Sequence, residues 1–219
     1  MENRTCSLQT LRRLPYYLYY LRSNDDEYVS STTIARDFQL NEVQVRKDLA
    51  LVSKTGGSPR KGFNTVELIR DLEDFLGYNN MNDTIIVGVG HLGKALINYK
   101  GFKDYGINIV MGFDQIIKTE MLIGNTAIFP MSRMNNLVQR LKLRLGILTV
   151  NQESAQRVCD QMIDAGIKAI WNFSPYMLKV PEDVLVQNEN MAMSLAILSK
   201  HLNQEIDNKQ QSTTMNTGD

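Results

Sequence analysis

Residues 84–99 read TIIVGVGHLGKALINY, an apolar run that passes straight into a glycine-spaced turn. The run Thr84 to Val87 is too short for a helix and has the uninterrupted apolar character of a strand buried on both faces, as parallel strands are. The turn is Gly88-x-Gly90-x-x-Gly93, and each glycine has a separate task. The first allows the tight turn, the second lets a pyrophosphate approach the backbone, and the third lets helix pack on strand. The anion then sits at a helix N-terminus. A glycine triplet alone is a weak sign. Here it follows a strand, opens a helix and precedes a second strand, INIVMGFD, whose last residue, Asp114, stands about 20 residues beyond the turn. A carboxylate there accepts both adenosine ribose hydroxyls and repels a 2′-phosphate. No arginine follows it closely in sequence, so NAD(H) is expected rather than NADP(H).

Downstream, strand and helix patterns alternate: a short strand over 126–129, a helix over 134–143, the strand LGILTV, a helix over 153–165 and the strand IKAIWNF. This predicts an α/β fold, a doubly wound parallel Rossmann sheet with helices on both faces. Ligand contacts belong at strand C-terminal ends, which selects Gly88, Val89, Gly90, His91, Leu92, Gly93, Asp114, Thr149 and Asn172. A last helix over 190–204 carries Met191, Leu195, Leu198 and Leu202 as an apolar stripe, and the polar tail from 208 is expected to be disordered.

Upstream the periodicity is helical. Ser7 can cap a helix whose Leu11, Leu14, Leu18 and Leu21 recur at three- and four-residue steps, with Pro15 expected to kink it. Tyr16, Tyr17, Tyr19 and Tyr20 occupy the same helix, more aromatic surface than one small core absorbs, so some are expected at a second domain or subunit. Ser30-Ser31 offers the cap of a short helix with Ile34, Ala35 and Phe38 inward. After a three-residue connection Asn41 caps a second helix, with Gln44 placed to complete a capping box. Two short helices so joined suggest a helix-turn-helix. Placing Val45, Leu49 and Val52 inward leaves Val43, Arg46, Lys47 and Ala50 outward, a face that suits the major groove: arginine for guanine, lysine for phosphate, small apolar groups for thymine methyls.

The segment SKTGGSPRKGF then has the glycines, proline and basic Arg60-Lys61 tip of a β-hairpin wing. An amphipathic helix follows, with Val66, Ile69, Leu72, Phe75 and Leu76 on one side and Gly77 to stop it. The polar stretch 79–83 is the linker, so residues 1–80 are expected as a winged-helix DNA-binding domain, 81–207 as a Rossmann domain that binds NAD(H) and dimerises, and 208–219 as a tail.

Composition sets the outer bounds. The chain has 219 residues, 43% hydrophobic and 22% charged, the make-up of an ordinary globular protein with room for two domains. Its formal net charge of zero is unusual for a DNA-binding chain, but residues 41–63 carry five basic side chains against two acidic ones. The two cysteines, Cys6 and Cys159, form no metal-spaced or disulfide pattern and read as buried thiols. No metal is expected. The opening MENRTCSLQT has no apolar signal core, and no stretch approaches the roughly 20 apolar residues of a membrane span, so a cytoplasmic location is expected.

Taken in order, RRLPYYLYYL, SSTTIARDFQL, VQVRKDL, GVGHLGKALINYKGF, FD, WNFSP and LKVPEDV give the chain a resemblance to the Rex family of redox-sensing transcriptional repressors, from Leu11 to Leu202. The resemblance implies a homodimer that binds a palindromic operator through two winged helices, with Ser31, Gln44, Arg60 and Lys61 joining the outward helix face at the DNA. It implies a dinucleotide close to the subunit interface, Tyr99 near the nicotinamide, and a last helix that crosses to the partner subunit with Met191 in the contact. It also implies that NADH disfavours DNA binding and NAD+ permits it. Three departures stand out. The wing reads TGGSPRKGFN where the family has a GxxGxRGxGY run. FDQII lacks the family's second acidic residue after the second strand. Tyr19 and Asn190 stand where well-known members have an arginine and an aspartate in the redox-linked subunit contact.

An NAD-dependent oxidoreductase with an accessory N-terminal domain is the competing class, since fold alone does not decide function. Hydride transfer needs an acid or base at the nicotinamide and a substrate pocket. The two histidines are badly placed for this, His91 in the glycine turn and His201 in the terminal helix, so no enzyme is expected. A CoA-binding or nucleotide-binding structural protein would leave the helix-turn-helix and Asp114 without a purpose.

Overall fold

The structure, a computed structural model, describes residues 6–215, with side chains as far as Ile206. It divides into two compact units: the chain up to Met81 together with Gly101–Ile107, and Asn82–Lys100 together with the chain from Asn108 onward. Residues 101–107, read from sequence as Rossmann, thus belong to the first unit; there Tyr105 packs edge-on against Tyr78 with ring centroids 5.1 Å apart.

The first unit runs α1 (Leu8–Arg22), β1 (Tyr28–Val29), α2 (Ser31–Asp37), α3 (Glu42–Val52), β2 (Phe63–Asn64) and α4 (Thr65–Leu76). Side chains start each helix: the Ser7, Ser30, Asn41 and Asn64 oxygens accept from backbone amides two or three residues on. Gly77, at φ 73°, closes α4. α1 runs through Pro15 as one element and buries Thr10, Leu14, Tyr17, Leu18 and Leu21, while Leu11 is exposed. The leucine spacing therefore holds at Leu14, Leu18 and Leu21 and fails at Leu11, while Tyr17 joins the core because its hydroxyl has a polar partner inside. Tyr20 is half-buried and Tyr16 and Tyr19 are exposed. On α4 the expected inward Val66 is exposed and Leu68 takes the core position. Ile34, Val45, Leu49, Phe63 and Leu72 complete this core.

The partner of Tyr17 is Asp48 of α3, 2% exposed. Its carboxylate accepts from Arg13 Nε at 2.7 Å and Nη2 at 3.0 Å, from Tyr17 Oη at 3.1 Å, from Thr10 Oγ1 at 3.2 Å and from Gln44 Nε2 at 3.0 Å. Burial opposes the charge, but the bonds from Arg13 and Gln44 outweigh it and hold the carboxyl below its ordinary value. Burial first, then the Asp48 charge, pushes the Tyr17 hydroxyl up to about 12. The carboxylate thus stabilises α1 on α3 above the ordinary aspartate value of 3.8 and loses this as pH falls through its lowered folded value. The tyrosine contribution is present below 10.0 and lost as pH rises toward 12. Asp48→Ala removes the acceptor of the buried Tyr17 hydroxyl and the charge partner of Arg13, and costs about 3 kcal/mol in urea denaturation at neutral pH. A cost under about 1 kcal/mol would show the cluster to be peripheral.

The second unit runs β3 (Asn82–Val87), α5 (His91–Ile97), β4 (Ile107–Asp114), β5 (Met121–Ile123), β6 (Thr126–Pro130), α6 (Met134–Leu141), β7 (Leu145–Leu148), α7 (Gln152–Ala165), β8 (Ala169–Asn172), β9 (Leu185–Asn188) and α8 (Met191–Met215). One seven-stranded sheet has the order β5-β6-β4-β3-β7-β8-β9. The pairs β4–β6, β3–β7, β7–β8 and β8–β9 are parallel, and β5 lies antiparallel on β6. The inner order is that of a doubly wound dinucleotide fold, with the strand order reversing at β3. The core under it includes Ile85, Phe113, Val138, Leu148, Cys159, Met162 and Ile170.

Several boundaries differ from the sequence reading. β3 begins at Asn82, inside the stretch read as a linker. α6 stops at Leu141 because Lys142 turns to φ 55°. The edge strands β5 and β9, too short and too exposed to show a pattern, went unseen. α8 continues to Met215, so 208–215 are helical rather than a disordered tail, while 216–219 lie outside the described residues.

Candidate dinucleotide cleft and DNA-facing helix

The glycine turn is built as its spacing demands. Gly88 has φ 96°, and a Cβ there would lie 2.8 Å from the Thr149 carbonyl carbon. A Cβ on Gly93 would lie against the Gly88 carbonyl oxygen, while one on Gly90 would meet open space. The first and third glycines are therefore required by packing, and the second leaves room for a ligand. Thr149 Oγ1 donates to the Gly88 carbonyl at 2.6 Å and so braces the turn from β7. Gly90 starts α5 without a side-chain cap, and His91 and Leu92 form its first turn.

Asp114 closes β4 beside this turn. Its Oδ2 accepts from the Val89 amide at 2.7 Å and its Oδ1 from the Ile116 amide at 2.9 Å, so the carboxylate is oriented before any ligand arrives. Gly88, Gly90, Asp114 and Thr149 line one cleft of about 260 Å³. Val89, His91, Leu92 and Gly93 do not line it; the Val89 amide instead orients Asp114, and Gly93 packs on the Gly88 carbonyl. Tyr99, exposed, and Asn172 do not line it. Asn172 is fully buried, with its amide donating to Tyr176 O and Asn188 Oδ1 and accepting from Ser174 N, so it secures the end of β8.

Sequence reading missed the other wall. Gln115 and Ile116 follow Asp114, and Asn151, Ser154 and Arg157 come from the start of α7. Asn151 is legible as the cap of a helix following a strand end; Arg157 has no local signal. Its Nη2 donates to Gln115 Oε1 at 3.3 Å across 42 residues of sequence. No arginine follows Asp114 closely in sequence, yet Arg157 stands beside the residue after it in the fold.

On α3, Val43, Arg46, Lys47 and Ala50 are all exposed, while Val45, Asp48, Leu49 and Val52 are buried. Asn41 caps the helix, but Gln44 bonds Asp48 rather than returning to the cap, so no capping box forms. Ser31 opens α2. The wing is a short hairpin closed by a Ser58–Gly62 bridge, with Pro59, Arg60 and Lys61 at its tip. β2 pairs with β1 rather than with a wing strand. Arg60 is held at φ 70°, and the Lys61 ammonium lies 5.3 Å from the centroid of the Tyr28 ring. Lys54 does not belong to the free basic surface, since it pairs with Asp74 and Asp71.

Tyr19 is exposed on α1. Asn190 Oδ1 accepts from the Met193 amide at 2.9 Å, so it caps α8, a task for which a neutral asparagine serves as well as an aspartate. On α8 itself Met191, Met193, Leu195, Ile197, Leu198, Leu202 and Ile206 are all exposed. Cys159 is buried, which pushes its thiol up to about 11 and makes it inert; Cys6 is only half-buried, so the expectation of two buried thiols holds for one. Among the described residues no His, Cys, Asp or Glu group could hold a metal, and no helix is long and apolar enough to cross a membrane.

A winged helix with a basic outward face and a Rossmann unit with a glycine-lined cleft, in one chain, define a ligand-responsive transcription regulator. Residues 6–50 match the family described as putative DNA-binding protein N-terminus, and 79–176 the family described as CoA binding domain. The chain is 40% identical to the redox-sensing transcriptional repressor Rex of Bacteroides fragilis, covering 89% of this chain and 90% of that one. It is 42% identical to Rex of Porphyromonas gingivalis, covering 86% and 88%. Among solved structures it resembles RSP, a Rex-family repressor, in complex with β-NAD+ and operator DNA (TM-score 0.84, 34% identity, 95% and 97% covered) and in complex with β-NADH (TM-score 0.82, 35% identity, 94% and 98% covered). The chain belongs to the Rex family of redox-sensing transcriptional repressors.

Proposed function

We propose that this chain represses transcription as a homodimer on a palindromic operator and is released by NADH, so that it follows the NADH/NAD+ ratio in the cytoplasm. The observation that carries the reading is the match, over almost the whole chain, to one repressor solved both with NAD+ and operator DNA and with NADH. The residues fit the cofactor: Gly90 leaves open space at the turn and Asp114 presents an oriented carboxylate at the cleft. The dinucleotide is held by Gly88, Gly90, Asp114 and Thr149, with Val89, His91, Leu92 and Gly93 shaping the turn and Tyr99 toward the nicotinamide. Arg46, Lys47, Val43 and Ala50 read the major groove, Ser31 and Gln44 support them, and Arg60 and Lys61 meet the flanking backbone. α8 crosses to the partner subunit, which accounts for its exposed apolar side chains.

Bound NADH supplies differential affinity: it favours an arrangement of the two DNA-binding units that misfits the two half-sites. A hundredfold preference corresponds to roughly 2.7 kcal/mol of coupling. Half-sites one or two helical turns apart are expected. Tyr19 and Asn190 carry no charge, so the subunit contact that shifts is a neutral one. The chain performs no catalysis, and NADH turnover with a small carbonyl compound would overturn that statement. The deciding experiment is operator binding by fluorescence anisotropy with NADH and NAD+ titrated separately. Release by NADH at concentrations where NAD+ leaves the complex intact is expected; equal effects of the two would defeat the reading.

A further inference from the structure

The adenosine end of the cleft carries a cation that the sequence pattern conceals. Arg157 reaches the cleft from α7, and its only side-chain bond among those described goes to the neutral amide oxygen of Gln115, the residue after Asp114. Among the described residues it forms no ion pair. A guanidinium has five donors in a planar fork suited to phosphate, so most of its donor capacity is unspent. Against it stands a single carboxylate, Asp114, already accepting from the Val89 and Ile116 amides. The next two cleft-lining residues, Gln115 and Ile116, are uncharged, and Ile116 is 77% exposed. Dinucleotide sites exclude a 2′-phosphate by an unbalanced carboxylate at this strand end and admit it through a nearby arginine. This site has both.

We propose that Arg157 sets the discrimination between ribose 2′-hydroxyl and 2′-phosphate, and makes NADPH a second, weaker ligand of the same cleft. The inference rests on the dinucleotide reading above. It requires no new pocket, because Arg157, Gln115 and Asp114 already line one cavity.

The test is calorimetric titration of the full-length protein with NADH and with NADPH, for the native chain, Arg157→Gln and Arg157→Glu. The native protein is expected to bind NADPH within about a hundredfold of NADH. Arg157→Glu should then lower the NADPH/NADH affinity ratio by at least about tenfold, with Arg157→Gln between, and the ratio for the native chain should fall with added salt. Asp114→Ser should move the ratio in the opposite direction. NADH binding without measurable NADPH binding at millimolar concentration, or a ratio indifferent to Arg157, would overturn the inference while leaving the repressor reading intact. Failure of NADH itself to bind would overturn the reading beneath it. Thermal melts of the variants identify any that fail to fold, and Arg157→Gln, a neutral replacement on an exposed helix position, remains as the folded comparison.

Discussion

Replacing Arg46 and Lys47 together by alanine lowers operator affinity by about 10²- to 10³-fold, while the dimer and its NADH binding remain. A bidentate arginine–guanine pair is worth about 1–3 kcal/mol and a lysine–phosphate contact adds a salt-dependent term, so the sum approaches 4 kcal/mol. The stability cost should be small, because both side chains are exposed and neither joins the core formed by Val45, Leu49 and Val52. Alanine also favours the helix. The two contributions separate by salt: Lys47→Ala alone should reduce the slope of log affinity against log salt by about one, and Arg46→Ala should relax preference at one base pair. Anisotropy at physiological salt reads both. Unchanged binding by the double variant would remove α3 from the DNA.

Asp114→Ala weakens NADH binding by about 10²-fold and leaves operator binding without ligand in place. Two charge-assisted bonds to ribose hydroxyls, at about 1.5 kcal/mol or more each, set the scale. Part of the loss comes from inside the protein, since the carboxylate also accepts from the Val89 and Ile116 amides and so orients the turn. Asp114→Asn distinguishes the two parts: it keeps an acceptor for one amide but loses the charge. Calorimetry should place it between the native chain and the alanine variant, and equal NADH affinity for all three would refute the ribose assignment.

What could be read in advance, and what could not, follows from the range of the interactions. The glycine turn is legible because each glycine answers to a constraint within a few residues or on the adjoining strand: φ 96° at Gly88, the carbonyl of Gly88 against Gly93. The caps at Ser7, Ser30 and Asn41 and the stop at Gly77 are local in the same sense. The leucine spacing of α1 misled at Leu11 alone, since Leu14, Leu18 and Leu21 face the core as spaced. Inside the unit Tyr17 has Asp48 for its hydroxyl and Leu11 has no place in the core. The edge strands β5 and β9 were hidden for another reason. They have three and four residues, and an edge strand open to solvent needs no alternating pattern.

The cleft divides along the same line. Asp114 and the turn come from one β-α-β stretch and declare themselves together. Arg157 lies 42 residues from Gln115, on a helix whose sequence shows only an amphipathic face, and nothing local says which strand end that face overlooks.

By itself, then, the sequence determined the main helices and the inner strands of the sheet, the caps at Ser7, Ser30 and Asn41, the dinucleotide turn with its carboxylate and the basic outward face of α3, because hydrophobic period and turn chemistry act over a few residues. Only the tertiary structure decided that Asp48 gathers Arg13, Tyr17, Thr10 and Gln44 at the inward side of α3, that Lys54 pairs with Asp74, that Asn172 is buried, and that Arg157 stands beside the residue following Asp114. These are meetings of side chains from separate elements, and they are set by how the elements pack rather than by any period within one of them.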